Sequence, residues 1–140
     1  MATKKQNKKL NKTFRKKRDN KVNNEIKAKL VKTFFEILHS IKLYHWKTKS
    51  YAQHEATDEL HEKLSAQVDR FVEVLIGKTS SRIHMVEKKM KLYDFHTKTE
   101  FKDKIFEFRQ FLIDLNDIFY KKKDSDLLTI RDDMLETVNQ

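Results

Sequence analysis

The sequence predicts an all-α protein, a four-helix bundle carrying a disordered basic N-terminal arm. Three observations predict it. The 140 residues contain one glycine, Gly77, and no proline, so helices can run long and β-turns are poorly supplied. Apolar residues recur at i, i+3 or i+4 and i+7 through four segments, the spacing that places them on one helix face. Positive charge is concentrated at the start of the chain. Residues 1–22 hold Lys4, Lys5, Lys8, Lys9, Lys12, Arg15, Lys16, Lys17, Arg18 and Lys21 against Asp19 alone, which is +9 of the net +10.

That first segment has Leu10, Phe14 and Val22 as its large apolar residues. It cannot bury enough surface to offset ordering entropy, so it is expected to be disordered when free. The domain organisation expected is therefore an arm over 1–22 and a nearly neutral bundle over 23–140. The chain has no cysteine, which excludes a disulfide framework and a thiolate metal site. The charged N-terminus does not read as a secretory signal. No apolar run approaches the ~20 residues that span a bilayer. A cytoplasmic protein without membrane partners is expected.

The first helix is expected from about Asn24 to about Lys47, where Leu30, Phe34, Ile37, Ile41 and Tyr44 form a stripe widened by Val31, Phe35 and Leu38. The second starts where Ser50 and Gln53 have the S/T-x-x-E/Q spacing of a capping box. It is expected to end at Ile76, with Gly77 as its C′ residue, about 39 Å long. Leu60, Leu64, Val68, Phe71 and Leu75 are its apolar face. Residues 79–96 are ambiguous; Ile83, Met85, Val86, Met90, Leu92 and Tyr93 could make a short helix across the bundle end. Thr97 and Glu100 begin the third helix with a second capping box, and Phe101, Ile105, Phe108, Leu112, Leu115 and Phe119 continue it. Lys121, Lys122 and Lys123 suit its C-terminal dipole. Asp124 or Ser125 caps a fourth helix with Leu127, Ile130, Met134 and Val138 on one side, about 15 residues long and short beside the second and third. The longer connection between the second and third helices could run from one end of the bundle to the other.

Four polar residues of the second helix fall on one side of it. His54, Asp58, Asp69 and Glu73 fall at about 0°, 40°, 60° and 100° around the axis, a stripe beside the apolar face, with His61 at its edge. One imidazole with several carboxylates is a hard N/O ligand set suited to Fe(II), Mn(II) or Zn(II). Asp58 and Asp69 are nevertheless roughly 16 Å apart along the axis. One helix cannot close all four ligands on a single ion, so another helix or another subunit must complete the site. The alternative is a solvated charged stripe, common on amphipathic helices of a chain that is 37% charged.

The spacing His54-x3-Asp58-x10-Asp69-x3-Glu73 resembles the ferroxidase signature of the miniferritins, the DNA-protecting Dps proteins of the ferritin-like superfamily. In that family the first helix ends in a His-Trp pair, as His45-Trp46 does here, and an aromatic follows in a short loop, as Tyr51 does. Small phage and viral proteins with an HW-x-T-x-SY-x-x-H segment are more similar still to residues 45–54. The His45–His54 spacing is shorter than the family's usual one, and the similarity beyond residue 76 is one of helix pattern alone. The resemblance implies a hollow shell of twelve subunits and an iron site shared across a two-fold interface. Asp69 and Glu73 would come from one subunit, and His45, His54 and Asp58 from its neighbour. It also implies oxidation of Fe(II) by peroxide or dioxygen, with His54, Asp58, Asp69 and Glu73 as the catalytic set and iron as the metal.

Other residues are expected to be structural. Trp46 is a packing anchor, His39 is solvated, and Asp114 and Asp117 are surface. His84 and Glu87 have a His-x-x-Glu spacing that could make a second metal site. One glycine cannot build a phosphate loop or a nucleophile elbow. The ten cations of the arm suit nonspecific, salt-dependent binding to DNA phosphates; the arm could equally be a nuclear address, Arg15-Lys16-Lys17-Arg18, or a solubilising tail. The leading expectation is an iron-oxidising, iron-sequestering homo-oligomer, between dimer and dodecamer, cytoplasmic or associated with nucleoid or virion. The alternatives are a DNA-binding or virion-packaging helical protein with a vestigial metal site, and a structural bundle with no ligand.

Overall fold

The computed structural model describes residues 22–140; the basic arm and its ten cations lie outside them. Four α-helices follow in order: α1 Asn24–Lys47, α2 Tyr51–Thr79, α3 Lys98–Asp114 and α4 Ser125–Val138, with a 3-10 turn over Leu115–Asp117 after α3. No strand occurs among the described residues, and no described helix is long and apolar enough to cross a membrane.

Each start has a local cause. Asn23 accepts the Ile26 N–H at 3.0 Å and opens α1. Ser50 accepts the Gln53 N–H at 3.3 Å and opens α2. The return half of that capping box is not made: Gln53 Oε1 instead accepts from the Tyr44 hydroxyl and from Thr48 Oγ1. At α3 both halves are present. Thr97 Oγ1 accepts the Glu100 N–H at 3.1 Å, and Glu100 reaches back to the His96 N–H at 2.9 Å. Asp124 precedes α4 without a side-chain cap bond; its carboxylate takes the Tyr120 N–H at 2.9 Å instead, holding the turn between α3 and α4.

The end of α2 departs from expectation. Gly77 stays helical, and the left-handed residue is Ser80, with φ 52°. The extra turn is retained because its side chains are tied down. Lys78 Nζ donates to Lys123 O at 2.7 Å and to Asp126 at 2.9 Å, and Thr79 Oγ1 donates to Leu75 O at 2.9 Å. Helix α3 is also shorter than its apolar pattern, because it tightens into the 3-10 turn after Asp114 while Leu115 and Phe119 remain buried. Lys121, Lys122 and Lys123 thus lie in the turn beyond it, away from its last carbonyls.

Residues 81–97 form no helix; they run extended along α1. Asn24 and His84 exchange two bonds, side chain to backbone, at 2.9 and 2.8 Å. Further along, Lys32 pairs with Glu87 at 2.8 Å, Ser40 accepts the Tyr93 N–H at 3.2 Å, and Lys47 pairs with Asp94. From Asn24 to Lys47 the helix rises about 35 Å, and the segment from 84 to 94 must match that rise. Fully extended chain reaches ~33–36 Å in ten residues, whereas a helix would reach about 15 Å. The length to be crossed therefore excludes the short helix that the apolar residues of 79–96 suggested. Helices α1 and α4 run one way and α2 and α3 the other, with one long crossover, the connectivity of ferritin-like bundles.

The core is aromatic at its centre. Phe34 of α1 meets Phe71 of α2 and Phe108 and Phe111 of α3 edge-on, at ring-centre distances of 5.5, 6.3 and 5.7 Å. Phe119 packs on Phe71 at 5.8 Å. Arg131 of α4 is buried and closes the C-terminal end of α3, donating to Leu112 O and Asn116 Oδ1, each at 2.9 Å. A cation at that end also suits the helix dipole.

Candidate metal centre

The histidines gather at the corner where α1 turns into α2. Three residues, Thr48 to Ser50, separate the helices, so the last turn of α1 faces the first of α2. His45 is buried and His54 exposed, and their rings stack at 3.9 Å with 20° between planes. Each ring is anchored on the other's backbone. His45 Nδ1 lies 2.7 Å from His54 O, and His54 Nδ1 lies 3.0 Å from His45 O. A carbonyl oxygen only accepts, so both Nδ1 atoms carry the proton. In each neutral ring Nε2 is then the atom with the free lone pair. This is the arrangement that fixes tautomer and orientation in metal-binding histidines. Thr57, buried one turn along α2, supports it at 3.1 Å from His45 Nδ1.

Asp58 stands at the mouth of the pair, its Oδ1 3.8 Å from His45 Nε2 and 3.9 Å from Lys42 Nζ. Below it an open groove of about 630 Å³ runs between α1 and α2, reaching Asp69 and including His61 and Glu62. Burial pushes the His61 imidazole below its ordinary pKa, and the charge of Lys42 acts in the same direction. Both effects favour the neutral imidazole, the form in which a histidine can ligate. Asp69 and Glu73 are exposed, further along α2. Among the described residues no three histidine or acidic side chains converge closely enough to hold a metal ion. The chain stacks His54 on His45 and sets Asp58 near His45, and leaves Asp69 and Glu73 further along α2.

Three expectations are corrected. Trp46 is 69% exposed, with Lys42 over its ring at 5.9 Å, and anchors no packing among the described residues. It points outward because His45, one residue earlier, takes the inward position. Phe35 is exposed and stacks on the exposed His39 rather than widening the core stripe. His84 and Glu87 make no common site, since Glu87 is drawn to Lys32 and the His84 backbone is held by Asn24. Asp114 and Asp117 are surface residues, as expected. Thr57 and Lys42 were missed; no ligand spacing marks them, and the helix–helix corner alone shows their place.

Fold and site together define a one-crossover four-helix bundle with a histidine–carboxylate cluster at its α1–α2 corner. The chain belongs to the Family of unknown function (DUF5856), whose model matches residues 45–140. That span opens on His45 and includes His54, Asp58, Asp69 and Glu73. No curated protein and no solved structure matches the chain.

Proposed function

We propose that this protein is a miniferritin-like iron-binding protein that takes Fe(II) as its substrate, oxidises it between two subunits and sequesters the product. The observation that carries this reading is the reciprocal anchoring of His45 and His54, which leaves both Nε2 atoms unprotonated in the neutral rings, that of His45 3.8 Å from the Asp58 carboxylate. Two imidazoles and one carboxylate are half of a hard N/O ligand set. Asp69 and Glu73 of a second copy supply the other half across a two-fold contact. Extra carboxylates stabilise Fe(III) over Fe(II), so each of two Fe(II) ions gives one electron to a peroxide, whose O–O bond breaks and takes up two protons to give water. With added peroxide, the wild-type chain is expected to raise Fe(II) oxidation well above the background of buffer and peroxide alone. His54→Ala with Asp58→Ala should lower that rate by at least about tenfold while circular dichroism stays near wild type. An unchanged rate removes the cluster from the chemistry.

The +9 carried by residues 1–22 supports DNA binding through phosphates in the same particle. It also favours a second reading, a DNA-binding or virion-packaging protein that turns over no iron. Deleting residues 1–21 is expected to abolish most DNA affinity in a filter-binding assay at low salt and to leave iron oxidation unchanged. Equal DNA affinity at equal salt would place the DNA contact elsewhere, and DNA binding without iron turnover in the wild type would favour the second reading.

A further inference from the structure

His45 and His54 sit where helices are least secure. His45 is in the last turn of α1, which ends at Lys47, and His54 is in the first turn of α2, which begins at Tyr51. End turns fray first, because their backbone groups lack partners within the helix. Each histidine's carbonyl holds the other's Nδ1, so the pair lasts only while both end turns stay in place.

The residues that precede the two histidines tie these turns together. Tyr44 precedes His45 and Gln53 precedes His54. The Tyr44 hydroxyl donates to Gln53 Oε1, and Thr48 Oγ1 donates to the same oxygen at 3.1 Å. Gln53 gives up a local bond to accept them. At its capping-box position the side chain would reach back to the Ser50 N–H, but that N–H goes to Thr48 Oγ1 at 3.3 Å. Thr48 thus replaces Gln53 in the cap and frees it to span the corner. The box that opens α3 shows the contrast, since Glu100 turns back there and bonds locally.

The phenol end of the tie is fixed by the rest of the bundle. Tyr44 is buried, with its ring stacked on Phe101 of α3 at 4.3 Å and 9° between planes. It also meets Phe95 of the crossover edge-on at 6.3 Å. The hydroxyl cannot swing away from α2 unless the ring leaves both contacts.

We infer that Tyr44 and Gln53 are positioning residues, whose hydrogen bond keeps His45 and His54 in the Nδ1-protonated tautomer and so presents both Nε2 atoms to a metal. The inference deepens the proposed function and rests on its reading of the pair as ligands. Hydrogen bonds weaken steeply with distance and angle, so a shift of about an ångström in the first turn of α2 removes the bonds between the two residues. A ring without its Nδ1 acceptor exchanges tautomers and loses its orientation.

The test reads the tautomers directly. Long-range proton–nitrogen NMR of the full chain with labelled histidine, at about pH 8.5 where histidine is ordinarily neutral, should show both wild-type rings protonated at Nδ1. Tyr44→Phe keeps the ring contacts and removes the hydroxyl alone. It should leave circular dichroism near wild type, give mixed tautomers at both histidines and weaken Co(II) binding by about tenfold. Gln53→Leu should act alike, and Gln53→Glu, which keeps an acceptor oxygen, should restore the Nδ1 tautomer. Wild-type tautomers in both Tyr44→Phe and Gln53→Leu overturn the inference, as does failure of Gln53→Glu to restore them. Loss of helix in both variants would make the tie a support of the fold alone and equally overturn it. Tautomers that respond as expected in a wild-type chain that binds no Co(II) would uphold the positioning role and refute the metal reading of the pair.

Discussion

Phe71→Ala is expected to destabilise the bundle by about 4 kcal/mol, in the range for deleting a buried aromatic ring. Phe71 has no exposed surface, and its ring lies between Phe34 of α1 and Phe119 beyond α3. Removing it leaves a cavity that three elements line, and none can close it alone, because Phe34 is also held by Phe108 and Phe111. Phe106→Ala makes the comparison. That ring is largely exposed, and its loss should cost within about 0.5 kcal/mol. Urea unfolding of the two variants, followed by circular dichroism, checks the difference. Equal costs would mean that the aromatic cluster does not hold the helices together.

Much of the fold is legible in the sequence because helical rules are local. The bounds of α1 follow from an unbroken apolar stripe, and Asn23 adds the cap that begins it. The crossover is different. Its apolar residues suggest a helix, but its conformation is set by the ~35 Å it must cover in about ten residues, and no local rule contains that distance. Gly77 misleads for a related reason. Glycine favours a helix end, yet Lys78 and Thr79 find partners that continue α2 past it, and Ser80 takes the left-handed turn at its own cost.

The polar stripe of α2 is legible from the 3.6-residue period. The pairing of His45 with His54 through each other's carbonyls is not, because it depends on the angle at which α1 meets α2. Lys27 shows the limit most plainly. A lysine in an apolar helix reads as a surface residue, but here it is 2% exposed and donates to Thr79 and Ser81. Its place is fixed by the extra turn of α2 beyond Gly77.

The proposed shared iron site is tested most directly by mixing two variants, each expected to be inactive. One carries His54→Ala and Asp58→Ala; the other carries Asp69→Ala and Glu73→Ala. All four side chains are exposed, so each variant should keep its helical content. In a site shared across a two-fold axis, a mixed dimer holds one intact site, made from the histidine half of one copy and the acidic half of the other. After unfolding and refolding an equal mixture, half of the dimers are mixed, and Fe(II) oxidation should return to about a quarter of the wild-type rate. Native mass spectrometry shows whether mixed dimers have formed. If mixed dimers are present and no activity returns, while each variant alone is inactive, the ligands meet within one chain and the shared site is wrong.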